Sequence, residues 1–311
     1  MGISKEEIQE VYTRPLFSLV SQAHHVHCQH HRVGEVQICS LLSYKTGGCT
    51  EDCKYCAQSS RYQTSVSPLP LLQKKAMLAC AERAIEKGAS RICIGAAWRE
   101  VREGKAFETI LEVVEELAEK GIEVCVTLGM LTEAQAKRLA DAGLFAYNHN
   151  LDTSPEYYEK IISTRNFSDR LKTLEAVGKA GVQICTGGIL GMGETEEDRI
   201  SLLHALVNLP IPPESVPLNF LMPIPGTPLE DQPPLPIWEM VRMIAAARLF
   251  LPTATIRLAA GRIACSQESQ ALCFFAGANS LFSGEILLTE PNPSFSDDDK
   301  LFTLLGLTPR G

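Results

Sequence analysis

The sequence predicts an α/β fold, a (β/α)8 barrel of the TIM type with an N-terminal helical extension, in one domain spanning residues 1–311. Amphipathic helical segments alternate with short β-branched strands, and a glycine stands where several of the helices end. No hairpin signal separates the strands, which indicates parallel βαβ units. A chain of 311 residues has the length of one such barrel.

The elements follow in order along the chain. Residues 1–34 are typical of a helical preface, because Ser4 and Glu7 have the spacing of a capping box. We expect residues 35–290 to form the barrel and residues 291–311 to form a C-terminal extension. Eight strands closing into a barrel, which we favour over an open doubly wound sheet, are expected near residues 36–43, 90–95, 122–127, 144–150, 182–187, 215–221, 254–258 and 280–287.

Composition limits the possible functions. The net charge of −8 argues against a nucleic-acid partner, which calls for clustered Lys and Arg. No apolar run has the length of a membrane span, and the N-terminus lacks the apolar core of a signal peptide. We therefore expect a cytoplasmic protein, in which eleven cysteines favour metal or redox chemistry over disulfides.

Three cysteines lie close together after the first predicted strand. Cys49, Cys53 and Cys56 have the spacing C-x3-C-x2-C. They are compatible with a disulfide pair, a zinc site or an iron–sulfur site. A closed zinc site needs four ligands, whereas three thiolates with no obvious fourth suit a four-iron cluster with one iron left open.

A second set of cysteines lies within later strands. Cys93, Cys125 and Cys185 alternate with apolar neighbours, so their side chains are expected to face the barrel axis, and Arg257 has the same phase. A buried cysteine can simply pack as a small hydrophobe. A buried arginine needs an anionic partner, which three thiolates holding a metal cluster would supply. Sequence alone leaves both interpretations open.

Polar residues are expected at the C-terminal ends of the strands, where barrels of this type carry their active sites. Asn148, Asn150 and Asp152 share one face after the fourth strand, and Asn219 lies on the sixth. The alternative is that these amides bond only loop backbone. The glycine-rich residues 187–194 predict a flexible loop that lets a ligand approach the backbone.

Two further segments suggest surface structure. The histidine-rich residues 24–31 are compatible with metal binding, but an exposed helix and turn is favoured, because the imidazoles point in several directions. The acidic run Asp297–Asp299 predicts a solvated cap near the C-terminus.

Longer strings of residues carry a resemblance. The C-x3-C-x2-C motif with Tyr55 before its last cysteine resembles the signature of radical S-adenosylmethionine enzymes. From about residue 10 to the C-terminus the chain is similar to the biotin synthase family, most specifically over residues 44–62, 95–98, 147–153, 257–262, 274–280 and 291–293.

The resemblance implies a sulfurtransferase reaction, the insertion of sulfur into dethiobiotin to give biotin, the last step of biotin synthesis. It implies a 4Fe-4S cluster on Cys49, Cys53 and Cys56, whose open iron binds S-adenosylmethionine. Reductive cleavage of that cofactor gives a 5′-deoxyadenosyl radical that abstracts substrate hydrogen. A flavodoxin- or ferredoxin-type reductant and a homodimer are implied as well.

Individual residues receive roles from the same resemblance. The residues implied to contact S-adenosylmethionine are Tyr55, Asn150, Asp152, Arg170 and Ile189. The residues implied to contact dethiobiotin are Asn148, Asn219 and Thr289. The ligands of a 2Fe-2S cluster, the implied sulfur donor, are Cys93, Cys125, Cys185 and Arg257.

The chain departs from the family pattern at Glu290, where a second threonine is usual. A carboxylate there would repel the anionic tail of dethiobiotin, so we expect Glu290 to point away or the tail to shift. The other cysteines match no ligand position and are expected to pack (Cys28, Cys39, Cys80, Cys265 and Cys273). Another radical reaction, an electron carrier and a structural zinc protein are the competing hypotheses.

Overall fold

The core of the computed structural model, which describes residues 2–284 and 286–310, is a closed parallel sheet. Strand β1 pairs with β2 on one side and with β9 on the other, which closes the barrel. The (β/α)8 prediction is confirmed. The strands are β1 (Glu35–Lys45), β2 (Arg91–Ala96), β3 (Glu123–Thr127), β4 (Ala146–Asn148), β5 (Gln183–Cys185), β6 (Gly188–Leu190), β7 (Ser215–Phe220), β8 (Thr255–Leu258), β9 (Ser280–Phe282), β10 (Ile286–Leu287), β11 (Glu290–Pro291) and β12 (Thr308–Pro309).

Helices surround the sheet. Two precede β1, and most of the others connect one barrel strand to the next. The helices are α1 (Lys5–Tyr12), α2 (Leu16–His30), α3 (Lys74–Glu86), α4 (Lys105–Glu119), α5 (Glu133–Asp141), α6 (Tyr158–Ile161), α7 (Phe167–Lys179), α8 (Glu196–Val207), α9 (Ile237–Phe250), α10 (Gln267–Phe275) and α11 (Phe295–Leu305). No helix among the described residues is long and apolar enough to cross a membrane.

The two faces of the strands carry different side chains, as their alternation predicts. On β2 and β3 the apolar residues Ile92, Ile94, Val124 and Val126 are fully buried and belong to the main apolar core with the helices. The intervening cysteines belong to a separate buried cluster inside the barrel. The period of two along each strand therefore sends thiols to the axis.

The fifth strand is longer than expected. After β5 the chain continues as β6, which pairs with β7 where a flexible loop was predicted. A Cβ atom on Gly187 would come within 1.9 Å of the Pro217 carbonyl oxygen. This glycine is thus required by the close approach of two strands, and the interpretation of residues 188–190 as a flexible loop is wrong.

The eighth strand is shorter than expected. It ends at Phe282, and the following residues form the small antiparallel hairpin of β10 and β11, which the sequence did not predict. Gly284 has φ of +119° and Leu288, in the turn, has φ of 57°, so the chain cannot continue as an extended strand. Glu285, inside the predicted strand, and the terminal residues Met1 and Gly311 lie outside the described residues.

The acidic run near the C-terminus is only partly solvated. Asp298 is buried and accepts hydrogen bonds from Nη1 and Nη2 of Arg262 at 2.6 and 3.0 Å. The Ser283 hydroxyl donates a third bond to it at 2.7 Å. The prediction of a solvated cap is therefore wrong at Asp298, because this carboxylate pairs with the buried guanidinium of Arg262.

The histidine-rich segment ends helix α2 and is less exposed than expected. His27 is buried, and His31 contacts a guanidinium nitrogen of Arg248 through Nε2 at 2.7 Å and the amide of Asn279 through Nδ1 at 3.1 Å. His24 stacks on Phe275. These imidazoles therefore pack in different places around the helix, as expected, but several of them are structural.

Candidate active site

The loop after β1 carries Cys49, Cys53 and Cys56 at the C-terminal end of the barrel. Gly47 and Gly48 turn it with φ of 72° and 66°, and a Cβ atom on Gly47 would meet Pro68 at 3.0 Å. The Cys49 amide then donates to the carbonyl of Gln58 at 2.9 Å. This bond closes the loop, so its three thiols are presented together.

Asp52 fixes the same loop to residues 163 and 164. Its carboxylate accepts bonds from the amides of Ser163 at 2.9 Å and Thr164 at 3.2 Å, and from both hydroxyls. Burial opposes ionisation, but these hydrogen bonds prevail and hold the pKa of Asp52 at about 2. The loop is thereby anchored at both ends and in the middle.

Two of the loop thiols lie in apolar surroundings. Cys53 and Cys56 pack with Ile189 and Tyr55 in a small cluster that also contains Met192. Burial raises the pKa of Cys53 to about 11 and that of Cys56 to about 12. Both thiols therefore keep their protons at neutral pH, and a metal bound there would have to displace a proton from each.

A cavity of about 210 Å³ joins this loop to the polar end of the fourth strand. The structure brings the predicted groups together here, although they are far apart in the chain. Its lining includes Cys49, Cys53, Tyr55, Cys56, Asn148, Asn150, Asp152 and Arg170.

Asp152 and Arg170 form a buried ion pair in that lining. Asp152 adopts φ of 67°, a left-handed conformation that non-glycine residues rarely take. The Arg170 Nε donates to the Tyr158 hydroxyl at 2.8 Å. Burial lowers the pKa of Arg170, but Asp152 and the nearby tyrosines and Cys53 raise it overall. The guanidinium therefore remains charged beside the loop thiols.

Inside the barrel, Cys93, Cys125 and Cys185 meet in one buried cluster, as the strand phase predicted. Cys93 and Cys125 are direct partners on β2 and β3. Arg257 is 1% exposed, and its Nη1 lies 3.7 Å from the Cys185 sulfur. The structure therefore places a guanidinium among three barrel thiols, as the sequence predicted.

Two neutral groups hold the Arg257 guanidinium in place. Its Nε donates to the Ser280 hydroxyl at 3.0 Å, and Nη2 donates to Oε1 of Gln37 at 3.1 Å. No carboxylate contacts it among the described residues. Burial lowers the pKa of Arg257, but the neighbouring thiols Cys39, Cys185 and Cys93 raise it overall, so they are the groups that can balance its charge.

The charges of the barrel thiols support that conclusion. The hydrogen bond from Cys125 and the charge of Arg257 together lower the pKa of Cys185 to about 6, although burial acts in the opposite direction. Hydrogen bonds to Cys185 and Cys93, together with burial, raise the pKa of Cys125. The thiolate form is therefore favoured at Cys185 and opposed at Cys125.

Cys39 also belongs to this cluster. Sequence reasoning placed it among the packing cysteines, but it is fully buried with Cys93, Cys125 and Cys185 inside the barrel. The missed signal was its phase on β1, since Gln37, Cys39 and Leu41 alternate toward the axis. The barrel thus contains four thiols, whereas three were expected.

A second cavity, of about 220 Å³, lies above these thiols. Both cavities are lined by Asn148 and Asn150, so the two sites adjoin. Leu288 also lines both, and the second is lined in addition by Cys93, Cys125, Cys185, Arg257, Asn219 and Leu287. A small molecule bound between them would have one thiol set on either side.

The asparagines use part of their bonding capacity on the protein. Asn219 donates to the Gly188 carbonyl and accepts from the Ala260 amide, both at 3.0 Å. Asn148 donates to Oδ1 of Asn150 at 3.1 Å and lies 3.3 Å from the Cys185 sulfur. Asn219 retains one N–H and one lone pair, and Asn148, whose Oδ1 also accepts from the Thr127 hydroxyl, retains one lone pair.

Thr289 and Glu290 lie on the hairpin beyond the cavities. Neither lines them, whereas Leu287 and Leu288 do. Burial raises the pKa of Glu290, while a hydrogen bond from Thr289 lowers it. The two side chains thus interact with each other, and the predicted substrate residue Thr289 is not brought to the site with Asn148 and Asn219.

The donor sets distinguish between kinds of metal site. Within residues 2–284 and 286–310, no three His, Cys, Asp or Glu side chains converge closely enough to hold a single ion. Closed zinc sites require such convergence. An iron–sulfur cluster distributes its thiolates over several irons, so the two spaced thiol sets fit clusters better than mononuclear zinc.

Comparisons with known proteins agree with this site. Residues 43–206 match the radical SAM superfamily, and residues 217–308 match the Biotin and Thiamin Synthesis associated domain. Biotin synthase of Cytophaga hutchinsonii is 53% identical, over 99% of this chain and 91% of that protein. Mitochondrial biotin synthase of Arabidopsis thaliana is 54% identical, over 99% and 82%. The chain belongs to the biotin synthase family.

Solved structures agree on the fold of this biotin synthase family member. Methylornithine synthase has a TM-score of 0.82 at 17% identity, covering 100% of this chain and 95% of that one. HydG, a maturase of the [FeFe]-hydrogenase, has a TM-score of 0.82 at 15% identity, covering 99% and 72%. Membership of the radical SAM superfamily implies S-adenosylmethionine and a 4Fe-4S cluster as cofactors.

Proposed function

We propose that this protein converts dethiobiotin to biotin by radical insertion of sulfur. One observation carries the proposal: two separate thiol sets lie on either side of adjoining cavities that share Asn148 and Asn150. One set can start a radical reaction and the other can supply sulfur, with the substrate between them.

Cys49, Cys53 and Cys56 would hold the 4Fe-4S cluster. When bound, this cluster supplies the electron that cleaves S-adenosylmethionine to a carbon radical. The protein has two tasks here. The loop orients three thiols from one side, and Arg165 and Arg170 supply positive charge near Cys53, where both guanidiniums lower the pKa of its thiol.

The groups around the first cavity suit S-adenosylmethionine. Asn150 and the Asp152–Arg170 pair offer polar partners for its ribose and amino acid parts. Tyr55 and Ile189 pack beside Cys56 and offer apolar surface to the adenine. Because Asp152 and Arg170 are already paired and buried, they are pre-organised for the cofactor.

Cys93, Cys125, Cys185 and Arg257 would hold the 2Fe-2S cluster that donates sulfur. The chemistry of these donors supports the proposal. Three buried thiols lie beside a guanidinium that no carboxylate contacts among the described residues. The same burial excludes water, which would otherwise quench a carbon radical.

Asn148 and Asn219 would bind the ureido ring of dethiobiotin. Each amide still has a donor or lone pair available, and a cyclic urea presents both kinds of partner. A contact from Thr289 to the substrate would need the hairpin to move. We further propose a cytoplasmic homodimer, one domain per chain, that accepts electrons from a flavodoxin- or ferredoxin-type protein.

The test is a single-turnover assay. Protein reconstituted anaerobically with iron and sulfide is mixed with dethiobiotin, S-adenosylmethionine and a reductant, and biotin and 5′-deoxyadenosine are measured. Formation of both products supports the proposal. Formation of 5′-deoxyadenosine from another small molecule, with no binding of dethiobiotin, would assign a different radical reaction to the site.

A further inference from the structure

Cys39 lies beside the barrel ligands but outside the cavity. It is fully buried and packs in one cluster with Cys93, Cys125 and Cys185. Unlike those three, it does not line the cavity of about 220 Å³ above them. Cys39 therefore lies on the side of the thiol cluster away from that cavity.

The same two groups that hold Arg257 also contact Cys39. Its sulfur lies 3.5 Å from Oε1 of Gln37 and 3.6 Å from the Ser280 hydroxyl. Arg257 bonds those oxygens at 3.1 and 3.0 Å. The thiol and the guanidinium are thus close neighbours and approach the other thiols from adjacent directions.

We propose that Cys39 is a reserve ligand of the barrel cluster, which binds the iron otherwise held by Arg257. This inference rests on the proposed 2Fe-2S cluster. Thiolate is a stronger iron ligand than guanidine, and this buried thiol already packs in one cluster with the three proposed thiol ligands.

The exchange of ligands balances without an oxidant or reductant. If Cys39 bound the iron, its thiol would lose one proton as the iron–sulfur bond formed. The guanidine of Arg257, released from the iron, would take up one proton and become a guanidinium. The Ser280 hydroxyl, which contacts both side chains, is the group through which that proton can pass.

The experiment compares cluster content in protein reconstituted anaerobically with ⁵⁷Fe. We expect Arg257→Ala to retain the second cluster, because Cys39 replaces the arginine, and Cys39→Ala/Arg257→Ala to lose it. The matched control is Cys273→Ala/Arg257→Ala, since Cys273 is an equally buried cysteine on α10. Mössbauer spectra count both clusters, and the first cluster reports whether each variant has folded.

A second pair of variants covers the case in which the alanine double variant does not fold. Cys39→Ser keeps the hydrogen bonds to Gln37 and Ser280 but offers oxygen to iron. It should shift the visible absorption of the second cluster in the Arg257→Ala background and leave it unchanged when Arg257 is present. Equal cluster content and spectra with and without the Cys39 sulfur would overturn the inference. Wild-type protein with no second cluster would instead overturn the proposed function.

Discussion

Asp152 and Arg170 form a buried ion pair at the edge of the cavity that contains Cys49, Cys53 and Cys56. Asp152 follows β4 and Arg170 lies on α7, so the pair joins a barrel strand to an outer helix. Asp152 has φ of 67°, a left-handed conformation that Asp and Asn adopt more readily than other non-glycine residues.

Asp152→Asn should weaken both the fold and cofactor binding. The amide keeps the shape and tolerates positive φ, but it leaves the Arg170 charge buried and unpaired, which costs about 3–5 kcal/mol. Urea unfolding and S-adenosylmethionine binding measure the two effects. In Asp152→Asn/Arg170→Gln the loss of stability should be smaller than the sum of the single losses. Additive losses would show that the pair is not coupled.

Asp298→Asn should destabilise the C-terminal part of the fold by about 3 kcal/mol, because Arg262 would lose its buried partner. The matched control is Asp299→Asn, one residue along the same helix. Asp299 is exposed, so the change should stay within about 0.5 kcal/mol. Urea unfolding of the two variants gives the comparison. Equal stabilities would mean that the Asp298–Arg262 contact contributes nothing.

The stability of the protein should fall as the pH drops from about 6.5 to 4. Burial, together with Arg248 nearby, lowers the pKa values of His27 and His31 to about 4. In that range the unfolded chain binds protons that the folded chain does not, so folding becomes less favourable.

Melting temperatures at pH 7 and pH 5 test this, under anaerobic conditions. His27→Gln should reduce the difference between the two temperatures, because one of the two groups no longer titrates. His25→Gln, an exposed position on the same helix, should leave it unchanged. The same difference in wild type and His27→Gln would show that His27 does not carry the effect.

Glu290→Thr should leave the KM for dethiobiotin unchanged. The Glu290 carboxylate contacts Thr289 on the hairpin and does not line either cavity. A carboxylate that faced the anionic substrate tail would weaken binding by more than 1.4 kcal/mol, and its removal would lower KM at least about tenfold. Steady-state kinetics with dethiobiotin distinguish these results.

Periodicity predicted most of the site. A period of two along β2, β3 and β5 was enough to send Cys93, Cys125 and Cys185 to the axis, and helix-ending glycines located the strands. These signals are local, since each depends on neighbours within a few residues.

Contacts between distant residues could not be predicted in this way. Cys39 meets Ser280, 241 positions later, and Asp298 meets Arg262, 36 positions earlier. The phase of Cys39 on β1 directs its thiol to the axis but does not identify Ser280 as its neighbour, and nothing in the local pattern of Asp298 distinguishes solvation from its contact with Arg262. Gly187 is similar, because its need for a hydrogen side chain comes from Pro217 on another strand.

Cys93→Ala should separate the two halves of the proposed reaction. The loop with Cys49, Cys53 and Cys56 is intact in this variant, so 5′-deoxyadenosine should form as in wild type. The barrel cluster loses a ligand, so biotin should not form. Cys273→Ala, which removes a buried thiol far from the site, should form both products. Wild-type biotin yield from Cys93→Ala would contradict the sulfur-donor assignment.

Mössbauer spectroscopy of anaerobic, ⁵⁷Fe-reconstituted protein with dethiobiotin and S-adenosylmethionine bound tests most directly whether the two thiol sets hold two different clusters. The account predicts a 4Fe-4S and a 2Fe-2S component in the wild type, and only the 4Fe-4S component in Cys93→Ala. A single 4Fe-4S component in the wild-type protein would contradict it.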